Sequence, residues 1–555
     1  MAHETNPGTD IYGPGTFIDK NVLPVPEDAR RVFEFLAKKT PGFTQNTEAW
    51  NTVRFEGNPD PMIPGPIKAP VVAAALHGMC GVVANELLEL RDGKPVSDSS
   101  VTINTDQSAI WLGSALTAQV NGSEVASIAR SGKLSTLFDR DFEQGFGKGF
   151  ASRATAIYQT KDPNVWYQLH GSLHANKALD SMGIDTSVTF DSPSGYYDYI
   201  QEHVRQWSAD ELEMHNVRHG LCGSICYTPE SWRKTEMGKQ LAKHPYVNYT
   251  QETYAAPTPK QSLPKVSGDQ RPLAGVKVLE MVRIIAGPTI GVTLAAFGAD
   301  VIRVNCSKLP DLNVLQLVLN AGKRTVDLDI TKPDDMTRLR ELVADVDVFV
   351  QGFRYGSLER KGLGLCSMLE LAAKRNKGII FVDENCYGPD GPFAERPGWQ
   401  QIGDAASGSS YVMDMTTGLL GSLATLMALR DRAVKGGSYH VISSLVAADN
   451  IALDAEVGLY PPEVVQQTAE KFGFAPTTPD QFVTEILFQV VDGWKKGRPG
   501  CLDLDSPLMV TLDKGPWGEL TVLKPVVRLG DDQTTPRWTS PPVPNCYHDR
   551  NVTWR

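Results

Sequence analysis

From residue 276 onward, short apolar runs alternate with stretches whose apolar positions recur at helical spacing. Val276 to Met281 reads as a buried strand, and Ile284 to Pro288 turns into an apolar helix, Thr289 to Phe297, that Gly298 stops. Val301 to Val304 and the alternating Thr325 to Ile330 are further strands. Pro333 then opens a helix running through Leu342, with Met336, Leu339, Leu342 and Val343 on one face. Val346 to Val350 and Ile379 to Val382 complete the series, with a helix from Ser367 to Lys374 between them. Strands separated by helices of this length predict an α/β fold with a doubly wound parallel sheet and a ligand site at the strand C-termini.

The first half is less regular. Helical patterns cover Val71 to Leu90 and Ala209 to Met214, and a strand-like run, Val165 to Leu169, follows the turn Lys161 to Asn164. One pattern occurs twice. Leu76 to Trp111 and Leu420 to Leu453 each read as apolar helix, polar turn, alternating strand and second apolar stretch. This is either a degenerate internal repeat or two unrelated units of one kind. Thr253 to Gln270 is rich in Pro, Ser, Lys and Gln, the composition of a linker. The expected organisation is an N-terminal half (1–252), a linker (253–270), a large domain (271–460) and an extension (461–555) that wraps the core.

Composition narrows the class. The chain has 555 residues, too many for one ordinary core, and is 41% hydrophobic and 21% charged, as a soluble globular protein would be. Its net charge of -11 argues against nucleic-acid and anionic-membrane partners. Met1 to Asp10 has no secretory pattern, and the apolar run from Ala69 is broken by His77 and Gly78 short of a bilayer's thickness. Eight cysteines without a Cys-x-x-Cys pair fit reduced thiols in the cytoplasm. His170 with His174, and His215 with His219, are four apart, but no third ligand accompanies either pair, so no metal is expected.

Seven fragments carry a resemblance. They are Arg271 to Glu280, Arg283 to Pro288, Phe297 to Arg303, Asn320 to Asp329, Asp347 to Phe353, Gly356 to Gly362 and Tyr387 to Pro392. In this order they resemble the class III CoA-transferases, which include formyl-CoA and carnitine CoA-transferases and the α-methylacyl-CoA racemases. The resemblance implies that family's fold: a Rossmann-like CoA-binding large domain and a smaller α+β domain, here permuted or part of a degenerate duplication. It also implies acyl-CoA and a carboxylic acid as substrates, and a homodimer, although a monomer holding two part-copies fits equally.

Candidate site residues follow. Ile285, Ala286 and Gly287 form a turn whose backbone N–H groups at a helix start suit a diphosphate. Lys323 and Arg324 are candidates to reach phosphates, and Leu328 and Phe353 to flank an adenine. The resemblance places the arginine matched by Arg360 at the adenosine end; a solvated cation is the other reading. Asp414, in Asp414 to Gly418, resembles the family's nucleophilic aspartate, and on spacing alone it is a helix cap. Trp399 and Gln400 fall where transferases carry Tyr-Glu and racemases His-Asp, and neither is a base at neutral pH. Around Tyr158 to His170 the chain resembles the family's small domain, and Gly145 to Gly149 lies where some transferases carry a glycine loop, an ordinary surface loop being the alternative. The chain departs from the pattern at Asn305-Cys306, at Gly352 where asparagine is common, and in the short connection from Gly408 to Asp414. The expected function is acyl-CoA:carboxylate CoA transfer through an aspartyl nucleophile. Its rivals are an isomerase or racemase of the same fold, a member turned to a non-CoA substrate, and a non-catalytic binding protein.

Overall fold

A computed structural model describes residues 5–7, 12–140, 142–143, 147–409 and 413–555. Gly145 and Phe146 of the glycine stretch, most of Met1 to Asp10, and residues 410–412 lie outside the described residues.

The central sheet has seven strands: β1 (Asn248–Glu252), β2 (Lys277–Met281), β3 (Asp300–Asn305), β4 (Lys323–Asp327), β5 (Val348–Gln351), β6 (Ile380–Asn385) and β7 (Ser438–Ser444). Their spatial order is β1-β7-β6-β5-β2-β3-β4. The strands from β7 to β4 run parallel, and β1 is antiparallel to β7 with Asn248 opposite Ile442. The chain winds outward from β2 to β4, then returns and winds the other way from β5 to β7. This is the doubly wound order, with its switch point between β2 and β5.

Successive strand residues face opposite sides, so continuous apolar runs serve two cores. Val278, Val301, Val348 and Ile380 join one, and their neighbours Leu279, Ile302, Phe349 and Phe381 the other. Helices Ala286–Ala296 and Met413–Lys435 cover the first face, and Pro333–Val343 and Leu365–Lys374 the second. The sequence placed β4 at 325–330, but the ladder ends at Asp327. There Leu328 N–H donates to Asn305 O, and Asp329 N–H donates to the Asp335 carboxylate.

The N-terminal half supplies a third layer through helix Ala69–Asp92, which packs on Met413–Lys435. The helix expected over Val71 to Leu90 runs 24 residues, through His77 and Gly78, to the left-handed Gly93. Inside it His77 Nδ1 is 2.9 Å from Ala73 O, and burial lowers the imidazole's pKa to about 4, so the ring stays neutral in the core. Gly78 admits the ring of Phe55. Among the described residues this is the one helix long and apolar enough to cross a membrane, yet 94% of its most apolar window is buried inside the protein.

The two similar segments share an order of elements. Ala69–Asp92 is followed by strand Val101–Asn104 and helix Thr105–Leu112; Met413–Lys435 is followed by β7 and helix Leu445–Ala452. Each of these strands also lies parallel to an upstream one, Val53–Glu56 and β6 respectively. The chain beyond 461 adds helices Pro462–Phe472 and Val483–Gly497 and strands that pair with the N-terminal half, Val527 opposite Ile103 and Leu520 opposite Val120. Its last residues run along the β4 edge, where His548 N–H donates to Thr325 O.

Candidate active site

Asp414 is the second residue of helix Met413–Lys435. Two glycines fix where that helix begins. A Cβ on Gly418 would overlap Ala286 O and Thr289, and one on Gly421 would lie 2.6 Å from Ile290 Cδ1. Only bare backbone lets the two helices cross so closely. The first turn is also tied to β7, since Ser443 Oγ donates to Thr417 O at 2.6 Å.

Asp414 opens onto a cavity of about 700 Å³ that Ile285, Gln400, Gln401, Asp404 and Met415 also line. Burial, then the charge of Asp404, raises the Asp414 carboxyl to about 7. Among the described residues no group hydrogen-bonds to it. Glu384, on β6, is raised to about 8 by burial and then by the charge of Asp414. Behind Asp404 lies the fully buried Asp449, and Gln400 Nε2 donates to Oδ1 of both at 2.8 Å. Ser407 Oγ donates to the second oxygen of Asp449 at 3.2 Å. Burial, then the charge of Asp404, holds Asp449 well above the usual carboxylate range. Asp404 itself is raised to about 7 by burial, against the hydrogen bonds from Gln400 and Asp449. Two of these four carboxyl groups, Asp404 and Asp414, line the cavity, and burial raises the pKa of all four.

The structure brings some of the sequence candidates together and separates others. Ile285, Gln400 and Asp414 share the cavity. Trp399 does not line it; its ring stacks on His170 at 4.6 Å and 19°. Burial lowers His170 to about 3, against a hydrogen bond that its protonated ring donates to Gln401. Ala286 and Gly287 form the first turn of their helix, where a Cβ on Gly287 would meet Val282 at 2.7 Å. Leu328 and Phe353 lie on a second cavity, about 230 Å³, beyond the ends of β2, β3 and β4, with Cys306 and Lys308. Arg360 is exposed in the single turn Glu359–Lys361.

Lys323 and Arg324 start β4, line neither cavity, and are both engaged. Lys323 Nζ is fully buried, 2.6 Å from Glu280 Oε1 and 2.8 Å from Pro288 O. Arg324 Nη2 donates to both carboxylate oxygens of Asp300 at 2.7 Å. Of the histidine pairs, His170 ends a strand and His174 precedes a helix, so they share no helical face. His215 and His219 do share one, and their ring centroids are 4.2 Å apart. No cluster of three metal-binding side chains occurs among the described residues.

Glu384, Asp404 and Asp449 escaped the sequence reading. Asp404 and Asp449 had a faint signal, an acid set among apolar or small residues, as in Leu445 to Ala452 around Asp449, whereas Glu384, between Asp383 and Asn385, had none.

The sequence model of CoA-transferase family III matches residues 273–494. The chain is 42% identical to "Acyl-CoA transferase" of Gibberella moniliformis over 98% of both chains. It is 34% identical to "Acetyl-coenzyme A transferase nodX" of Hypoxylon pulicicidum over 71% of this chain and 70% of that one. A solved CaiB/BaiF family protein from Brucella suis is 26% identical, with a TM-score of 0.30, over 38% of this chain and 60% of that one. The chain belongs to CoA-transferase family III and is an enzyme of that family.

Proposed function

We propose that this enzyme transfers CoA from an acyl-CoA to a carboxylic acid, with Asp414 as the nucleophile. The observation that carries the reading is the placement of Asp414, a carboxyl without a hydrogen-bond partner among the described residues, on a large cavity beside the ends of a doubly wound sheet. Its raised pKa makes the ionised form a better nucleophile than an ordinary carboxylate, while leaving much of it ionised near neutral pH.

An oxygen of Asp414 attacks the thioester carbon; the C–S bond breaks, and CoA leaves as the thiolate. The mixed anhydride on Asp414 is then attacked at the aspartyl carbon by that thiolate. The anhydride C–O bond breaks, releasing the first carboxylate and leaving CoA on Asp414 as a thioester. The incoming carboxylate repeats the two steps in reverse, so no proton is gained or lost overall. In this proposal Leu328 and Phe353, which line the second cavity, hold the adenosine end of CoA, and Ile285 to Gly287 lie at a helix start beside the switch point.

Racemisation by a His/Asp pair needs a histidine beside the carboxylate, and among the described residues no histidine lines the large cavity. That favours transfer over the isomerase. Initial rates at varied donor and acceptor test the reading: parallel double-reciprocal lines are expected. Intersecting lines, or exchange of the acyl α-proton without CoA transfer, would overturn it.

A further inference from the structure

The cavity at Asp414 is far larger than a small acyl group needs, and its lining is mostly apolar. Gln400, Gln401 and Asp404 join Asp414 on it, and the other polar lining residues, Tyr12, Ser114, Gln466 and Thr477, are uncharged. The walls are otherwise largely apolar, with Leu112, Val318, Phe474, Ile486, Val490 and Trp494 among them. These come from the N-terminal half, from the segment before β4, and from the chain after 461. Trp494 adds to the apolar character, because its indole N–H is satisfied by Met62 O at 2.6 Å. Among the described residues no lysine, arginine or histidine lines the cavity.

Size and charge both bear on the acyl group. A liquid water molecule takes about 30 Å³, and a methylene is of similar size, so 700 Å³ holds roughly 20 such groups. Acetyl or succinyl would leave most of that space unfilled. A second carboxylate on the acyl chain would enter an apolar chamber with no cation to meet it, next to Asp404 and Asp414. We infer that the acyl group accepted at Asp414 is a large, uncharged hydrophobic monocarboxylate of about ten or more carbons, and that dicarboxylic acyl groups are excluded.

The inference rests on Asp414 being the residue that receives the acyl group, and its test separates the two claims. Non-hydrolysable thioether analogues of acyl-CoA, with chains from two to sixteen carbons and one succinyl analogue, are titrated into the full-length protein. Affinity is expected to rise about fourfold per added methylene until the cavity fills, and to be weakest for succinyl. Val490→Phe, which narrows the chamber, is expected to shorten the best chain by several carbons. A flat chain-length profile, or preference for the succinyl analogue, would overturn the inference. Catalysed transfer confined to short or dicarboxylic donors would also overturn it while leaving the transferase reading in place. Rising affinity for long chains without CoA transfer would support the pocket and defeat the transferase reading.

Discussion

Gly352 leaves room for the carboxylate of Glu384: a Cβ at position 352 would lie 2.7 Å from Glu384 Oε2. Gly352 directly follows β5, and Glu384 lies on the neighbouring β6, so the glycine admits an acid near the nucleophile.

The pair leads to a first prediction. Activity rises with pH as Asp414 ionises near 7, then falls as Glu384 ionises near 8 and sets a second anion near the developing oxyanion. Glu384→Gln is expected to keep the rise and lose the fall. A pH profile of kcat for the two proteins decides it; an unchanged fall contradicts the assignment.

Stability should move oppositely to an ordinary carboxylate protein. Asp414, Asp404 and Glu384 have folded pKa values of about 7, 7 and 8, above the 3.8 to 4.5 of the unfolded chain. Between those limits the folded state holds more protons, so its stability falls as pH rises from about 4 to 8. Melting temperatures across that range are expected to decline, and Asp414→Asn to decline less steeply. A native protein that gains stability from pH 6 to 8 would refute this account.

Lys323 separates a structural cation from a phosphate ligand. Lys323→Met leaves Glu280 buried without its 2.6 Å partner, a loss on the order of 3–5 kcal/mol. Denaturant unfolding should show it, and the protein that remains folded should keep its KM for acyl-CoA. A raised KM at unchanged stability would return Lys323 to the ligand.

Gly418→Val forces a side chain against Ala286 O and Thr289 at the crossing that positions Asp414. Overpacking of this kind costs about 1–3 kcal/mol, and a displacement near 1 Å at the nucleophile lowers kcat on the order of 100-fold. Unfolding and kinetics together test it, and an active, equally stable variant would show that the close crossing is not needed.

The doubly wound half was legible because each strand is a short apolar run bounded by turns, and Val276 to Met281 or Val346 to Val350 admits little else. β1 was not, since Asn248 to Glu252 is polar and becomes a strand only by pairing with β7. Asp414 was found through its motif. Asp404, Asp449 and Glu384 were not, because an acid in a helix or strand reads as a solvated surface until tertiary packing closes over it. Lys323 misled for the converse reason: a cation beside Arg324 looks available, whereas the fold seals it against Glu280. The cavity was invisible in sequence because its walls converge from segments hundreds of residues apart.

The most direct test of the central claim is the intact mass of the protein after incubation with a long-chain acyl-CoA, measured beside Asp414→Asn. The account predicts a CoA adduct on the parent that hydroxylamine removes and that the variant lacks. CoA transfer at the parent's rate by Asp414→Asn, or an adduct that persists on it, would contradict the assignment of Asp414 as the nucleophile.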